Sequence, residues 1–213
     1  MTIITTTADL EEGMAALCAL DPRWHPIVTR TGIPPLRRRE GGFPGLAAII
    51  VSQQLSVASA QAVWARVETV LSPLTPERIL AADDEAMRLS GLSRPKQRAM
   101  RAVAAAVAEG RLRFDWLEDA TAEEVHRHLT AVPGIGPWTA DIYLLFCLGH
   151  RDGFAPGDLA IQEAARVAFG LPARPVPAAL AALAEPWRPW RGVAARLLWA
   201  DYAVLKSREG VNA

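Results

Sequence analysis

Two prolines and two glycines, Pro133-Gly134-Ile135-Gly136-Pro137, separate two helical patterns, and one carboxylate, Asp158, stands twenty residues beyond the adjacent Trp138. Gly134 and Gly136 lack a Cβ, so they accept positive φ and let another surface approach the backbone closely. Pro137 suits the first turn of a helix, where no amide hydrogen is needed. Backbone N–H groups at such a turn, beside a helix N-terminus, form an anion pocket suited to a phosphate. Phosphate gripped this way positions nucleic acid without reading its sequence. An ordinary turn between helices would use the same residues, so the motif takes its meaning from its surroundings.

Asp158 heads the helical pattern LAIQEAARVAFG and is a favoured N-cap type. Capping and chemistry are compatible, because a helix N-terminus favours negative charge and a carboxylate there can stabilise a developing cation. Other reactive types point away from chemistry. Cys18 and Cys147 lie far apart in helical patterns, with no ligand spacing, and read as buried free thiols. His126 and His128 are two apart, so they point to different faces of a helix and give no metal signal.

The elements that must hold these residues are helical. Residues 8–20 place Leu10, Met14, Leu17 and Leu20 at helical spacing, and Asp21-Pro22 ends the pattern. A Pro/Gly/Arg-rich connector covers Ile33 to Gly42, with Arg37–Arg39 reading as a solvated face. A single long helix is expected from Phe43 to Leu71, with Pro44 near its first turn. Helices follow at about 76–82, 84–90 and 95–109, the last closed by Gly110. Thr121 with Glu124 three residues on forms a capping box. After the glycine turn, helices are expected at 137–148, 158–169, 176–185 and 192–206. No stretch alternates long enough for a strand. The reading is all-α, about ten helices in two lobes, roughly 43–130 against 1–42 with 131–213.

The chain of 213 residues is 51% hydrophobic, enough for a sizeable helical core. Its 23 Lys and Arg balance 23 Asp and Glu, so no global basic field announces a polyanion partner, and any grip must come from local patches. Arg94, Lys96, Arg98 and Arg101 make one such cluster; Arg188, Arg191 and Arg196 lie near another. The opening MTIITTTADLEE has no basic region or apolar core of signal length, and no window reaches bilayer length. A soluble, cytoplasmic protein without membrane contact is expected.

The glycine turn with its downstream Asp resembles the helix-hairpin-helix (HhH-GPD) DNA glycosylases. Further stretches resemble that superfamily too: IIVSQQLSVASAQAVWARV (49–67), GLSRPKQRAM (91–100) and WRPWRGVAARLLWADY (187–202). The likeness covers most of residues 43–202 and is greatest to the 3-methyladenine DNA glycosylase II branch. It implies an all-α, two-lobed fold with a helix-hairpin-helix DNA-binding motif, acting as a monomer on damaged double-stranded DNA bound at the cleft between the lobes. The implied activity is flipping and hydrolytic removal of alkylated bases of the 3-methyladenine and 7-methylguanine type.

Residue by residue, the resemblance implies Asp158 as the catalytic carboxylate, Trp138 and Trp199 as aromatic base contacts, and Gln54 as the wedge filling the emptied stack. Val132, Pro133, Gly134, Ile135, Gly136 and Thr139 would form the DNA-binding hairpin, with Lys96 and Gln53 near phosphates. The carbonyls of Thr130, Val132 and Ile135 would hold a structural Na+ or K+. Strand-cutting members carry Lys at the position of Trp138, which has no amine for a Schiff base, so a monofunctional enzyme is expected. Two distant cysteines cannot supply the four ligands of an iron–sulfur cluster. Leu159 and Ile142 stand where relatives can carry aromatic side chains. Two alternatives remain at this level: a non-catalytic damaged-DNA-binding module, and a glycosylase for other modified purines.

Overall fold

Hydroxyls and carboxylates set the helix starts. The computed structural model describes residues 3–211. In α1 (Thr7–Leu20) the Thr6 hydroxyl accepts from the Asp9 amide, and the Asp9 carboxylate accepts from the Thr6 amide in return. An unanticipated helix follows, α2 (Trp24–Thr31). Pro26 is its third residue, so the missing amide hydrogen falls in the first turn and breaks no ladder bond.

The single long helix expected over 43–71 is two helices, α3 (Gly42–Ser52) and α4 (Val57–Leu71). Gln54 takes φ 54 in the break. Beyond it, Ser56 starts the chain afresh by accepting from the Ser59 amide at 3.2 Å. No glycine or proline marks the site.

The succeeding helices fall close to expectation: α5 (Pro76–Ala81), α6 (Asp84–Leu89), α7 (Arg94–Ala108), the additional α8 (Phe114–Asp119), and α9 (Ala122–Thr130). The Thr121–Glu124 capping box forms as expected. After the glycine turn comes α10 (Pro137–Ile142), whose winding widens to π-helical over Tyr143–Leu148. Asp158 caps α11 (Leu159–Ala168), followed by α12 (Pro177–Ala184) and α13 (Arg191–Val211). The architecture is all-α. Among the described residues, extended pairing is limited to one isolated bridge, Ile3 with His150. No described helix is long and apolar enough to cross a membrane.

The chain divides into two compact units, one from Arg39–Leu148 and the other from the segments before Arg39 and after Leu148. The division thus falls after residue 148 rather than after 130, because α10 and its π-helical extension pack on α3 and α9. Within the first unit α3 is central, with Leu46, Ile49 and Ile50 fully buried and α4, α7, α8 and α10 around it. Within the second, α13 packs on α1, α2 and α11. Trp187 lies there in an aromatic cluster with Trp24, Phe154 and Phe169. Trp190 is buried beneath the Arg151 guanidinium at 4.2 Å. Both cysteines are free thiols; Cys147 is buried and Cys18 half-buried.

Candidate active site

The loop Phe154–Gly157 delivers Asp158 to the head of α11, with the Asp158 amide bonded to the Ala155 carbonyl at 3.1 Å. Asp158 Oδ1 accepts from the Ala160 amide at 3.0 Å and the Ile161 amide at 3.1 Å. The Trp199 indole N–H, on α13, donates to the same oxygen at 3.0 Å. Three N–H groups therefore converge on one carboxylate oxygen, fixing its rotamer from two helices. Gln162, one turn along, is buried and donates to the Pro156 carbonyl at 2.8 Å, which holds the loop from below. Leu159 is exposed beside Asp158. The arrangement can present an oriented carboxylate at a helix N-terminus.

In the other unit, α9 and α10 form a helical hairpin. Its turn is closed by the Ile135 amide on the Val132 carbonyl at 3.0 Å. Val132 and Ile135 point inward and are buried, while Pro133, Gly134, Gly136 and Pro137 are exposed. The two glycines serve different needs. Gly134 has φ 90, and a Cβ there would sit 2.5 Å from the Ala99 Cβ of α7. Gly136 has φ −89 and does not use its freedom to take positive φ; a Cβ there would meet nothing within 4 Å. Gly134 is required by packing, whereas Gly136 keeps an outer surface low.

Three residues expected on the DNA-facing surface have internal partners. Thr139 is only 2% exposed, and its hydroxyl accepts from Gln53 Nε2 at 2.9 Å. Gln53 is thereby turned toward α10. Lys96 Nζ donates to the Val51 carbonyl at 2.7 Å, in the last turn of α3, and burial pulls its ammonium below the ordinary lysine range. These bonds brace the α3–α4 break from two sides and leave exposed Gln54 at its tip. Sequence alone hid this, since the partners are 45 and 86 residues apart.

Trp138, the second residue of α10, is half-buried, and Ile142 is buried one turn later. Asp141, between them, is buried and lies 3.7 Å from His126 Nε2. Burial lowers the affinity of His126 for a proton. The Thr130 carbonyl lies in the last turn of α9, where carbonyls lack intrahelical donors and the helix dipole favours a cation. With the Val132 and Ile135 carbonyls it makes three neutral oxygens, the donor type an alkali ion takes; the Val132 carbonyl also accepts from the Ile135 amide. No group of three or more His, Cys, Asp or Glu able to hold a metal ion occurs among the described residues.

Residues 47–189 match the model of the HhH-GPD superfamily base excision DNA repair proteins. DNA-3-methyladenine glycosylase 1 of Schizosaccharomyces pombe is 32% identical over 198 residues, which cover 87% of this chain and 87% of that protein. Among solved structures, a DNA-3-methyladenine glycosidase from Bacillus halodurans superposes with a TM-score of 0.81 at 32% identity, covering 97% of this chain and 95% of the other. The S. pombe 3-methyladenine DNA glycosylase in complex with abasic DNA also gives 0.81, at 29% identity over 88% of this chain and 95% of that one.

Proposed function

The chain belongs to the HhH-GPD superfamily of base excision DNA repair proteins, and on that premise we propose that it is a monofunctional DNA-3-methyladenine glycosylase of the type II class, which flips and hydrolytically removes alkylated bases from damaged double-stranded DNA. The observation that carries the reading is Asp158, held by three N–H donors at the head of α11.

A base inside a duplex is unreachable, so it must leave the stack at a cost of roughly a few kcal/mol. Gln54, at the exposed tip between α3 and α4, fills the gap. The outer face of the hairpin turn, low at Gly136, takes the strand backbone, and the carbonyls of Thr130, Val132 and Ile135 would hold a Na+ or K+ that would supply positive charge to a phosphate. An alkylated purine often carries positive charge, and indole faces such as those of Trp138 and Trp199 attract cations by about 0.5–2 kcal/mol. The cationic base is already a good leaving group, so little acid catalysis is needed. Asp158 stabilises the oxocarbenium-like sugar and orients the attacking water. Trp138 has no amine for a Schiff base, so the strand stays intact.

Mass spectrometry of bases released from methylated DNA tests the reading, combined with a denaturing gel run with and without hot alkali. Free 3-methyladenine and 7-methylguanine are expected, with breaks only after alkali. No released base would reject the enzyme. Nicks without alkali, or a borohydride-trapped complex, would reject the monofunctional assignment.

A further inference from the structure

The face of α7 opposite its buried side lines an open groove of about 670 Å³. Arg94, Arg98 and Arg101 follow one another along the helix, Arg88 of α6 stands across from them, and Leu92 and Ser93 form the near end. The Arg88 guanidinium is paired with Glu85, and Arg101 bonds the Ala82 carbonyl at 2.9 Å and Asp84 at 3.3 Å. Arg94 and Arg98 are exposed and make no ion pair among the described residues. Asp84 is the one carboxylate lining the groove. In a chain whose Lys and Arg balance its Asp and Glu, Arg94 and Arg98 leave a local excess of two positive charges, since Glu85 and Asp84 already face Arg88 and Arg101.

The head of α7 adds to it. Ser93 occupies the N-cap position but makes no side-chain capping bond, and Pro95 follows at the second helical position. Pro95 has no amide hydrogen, so the Arg94 and Lys96 amides are the first-turn donors left to an acceptor from outside. From Arg94 to Arg101 is about 10.5 Å along the helix axis, the axial length of about three phosphates on one DNA strand. A lone phosphate would use one end of such a row; a polyphosphate strand uses all of it. The same helix carries Ala99 against Gly134 of the hairpin turn, so groove and hairpin are rigidly joined through α7.

We infer that the groove between α6 and α7 is a second backbone-binding surface, taking the phosphodiester chain of DNA through Arg94, Arg98 and the uncapped head of α7. The inference rests on the DNA-processing reading above and names contacts beyond the hairpin. Lys96, on the same turn, is excluded from this row because its ammonium faces the Val51 carbonyl.

The test is the salt dependence of binding to undamaged duplex DNA, followed by fluorescence anisotropy. The variant is Arg94→Ala with Arg98→Ala. The control is Arg111→Ala with Arg113→Ala, which removes equal charge from exposed arginines paired with Glu109 and Asp115. Each phosphate contact contributes about 0.9 to the slope of log K against log salt, so the slope should fall by about 1–2 in the Arg94/Arg98 variant. That is about 3.5-fold per contact across a fourfold change in salt. The control should keep the wild-type slope, and both should keep the wild-type melting temperature. An unchanged slope in the first variant, or an equal fall in both, overturns the proposal. If inorganic pyrophosphate raises the melting temperature of wild type but not of the Arg94/Arg98 variant while the DNA slope stays unchanged, the groove is a small-anion site and the DNA assignment is overturned. Base release by wild type from methylated DNA, measured alongside, separates failure of the groove from failure of the glycosylase reading.

Discussion

The Trp199 indole N–H and the Asp158 carboxylate meet at 3.0 Å, although 41 residues separate them. The bond ties the centre of α13 to the head of α11, and it reaches the oxygen that also accepts from Ala160 and Ile161. Trp199 is thus more than an aromatic face. It holds the carboxylate in one rotamer together with the two backbone amides.

Trp199→Phe keeps a ring and removes only the N–H. A hydrogen bond to a charged group is worth about 1.5–3 kcal/mol, so a drop of roughly 10- to 150-fold in the single-turnover rate of base release is expected. DNA affinity should change little. A rate within about twofold of wild type, a difference under roughly 0.5 kcal/mol, would leave Trp199 as an aromatic contact alone.

The two hairpin glycines should separate folding from binding. Gly134→Ala forces a methyl group against Ala99 at positive φ, and a loss of about 2–3 kcal/mol in stability is expected by urea denaturation. Gly136→Ala meets open space at negative φ, so its stability should stay within about 0.5 kcal/mol. Affinity for duplex should nevertheless fall by about 10-fold, because the methyl group props the strand away from the turn. Equal behaviour of the two variants in both assays would contradict this division of labour.

These residues also show what the sequence could and could not reveal. Caps and turns are local, so Thr121 with Glu124, the Pro137 start and the Asp158 cap were readable directly. The α3–α4 break was not, since apolar spacing runs on through residues 46–71 with no glycine or proline after Pro44 and Gly45 at the helix start, and strain at Gln54 leaves no compositional mark. The available signal was Ser56, an N-cap type three residues before Ser59. Lys96, Gln53 and Thr139 look like surface polar residues in any local window. Their bonds to Val51 and to each other arise only when α7 and α10 fold against α3. The unit boundary failed for the same reason, as packing of α10 on α3 is non-local.

Gln54 combines an exposed tip with a left-handed backbone, φ 54, that glycine would accept without strain. Gln54→Gly should therefore raise stability by about 1 kcal/mol while slowing base release from duplex. Single-stranded damage should be processed at close to the wild-type rate by both Gln54→Gly and Gln54→Ala, because a wedge matters only where a stack must be opened. Equal losses on single and double strands would make Gln54 an ordinary surface residue.

Asp158→Asn is the sharpest substitution, because the capping geometry survives it. An amide oxygen can accept from Ala160, Ile161 and Trp199 as the carboxylate Oδ1 does, so α11 and the bond to α13 should remain. What disappears is the charge. Folding should be unchanged by circular dichroism, and DNA affinity should hold or rise, since a carboxylate repels nearby phosphates. Turnover should fall by roughly 100- to 1,000-fold, equal to about 2.7–4 kcal/mol of lost transition-state stabilisation. The fall should be smaller for 7-methylguanine, whose cationic base leaves readily, than for a neutral lesion such as hypoxanthine. A variant within about threefold of wild type, under roughly 1 kcal/mol, would reduce Asp158 to a helix cap. Asp141 would then be the next carboxylate to substitute, but it is buried within α10, 3.7 Å from His126 Nε2. Geometry therefore favours Asp158, and the lesion-dependent size of its loss is the signature that separates charge stabilisation from capping.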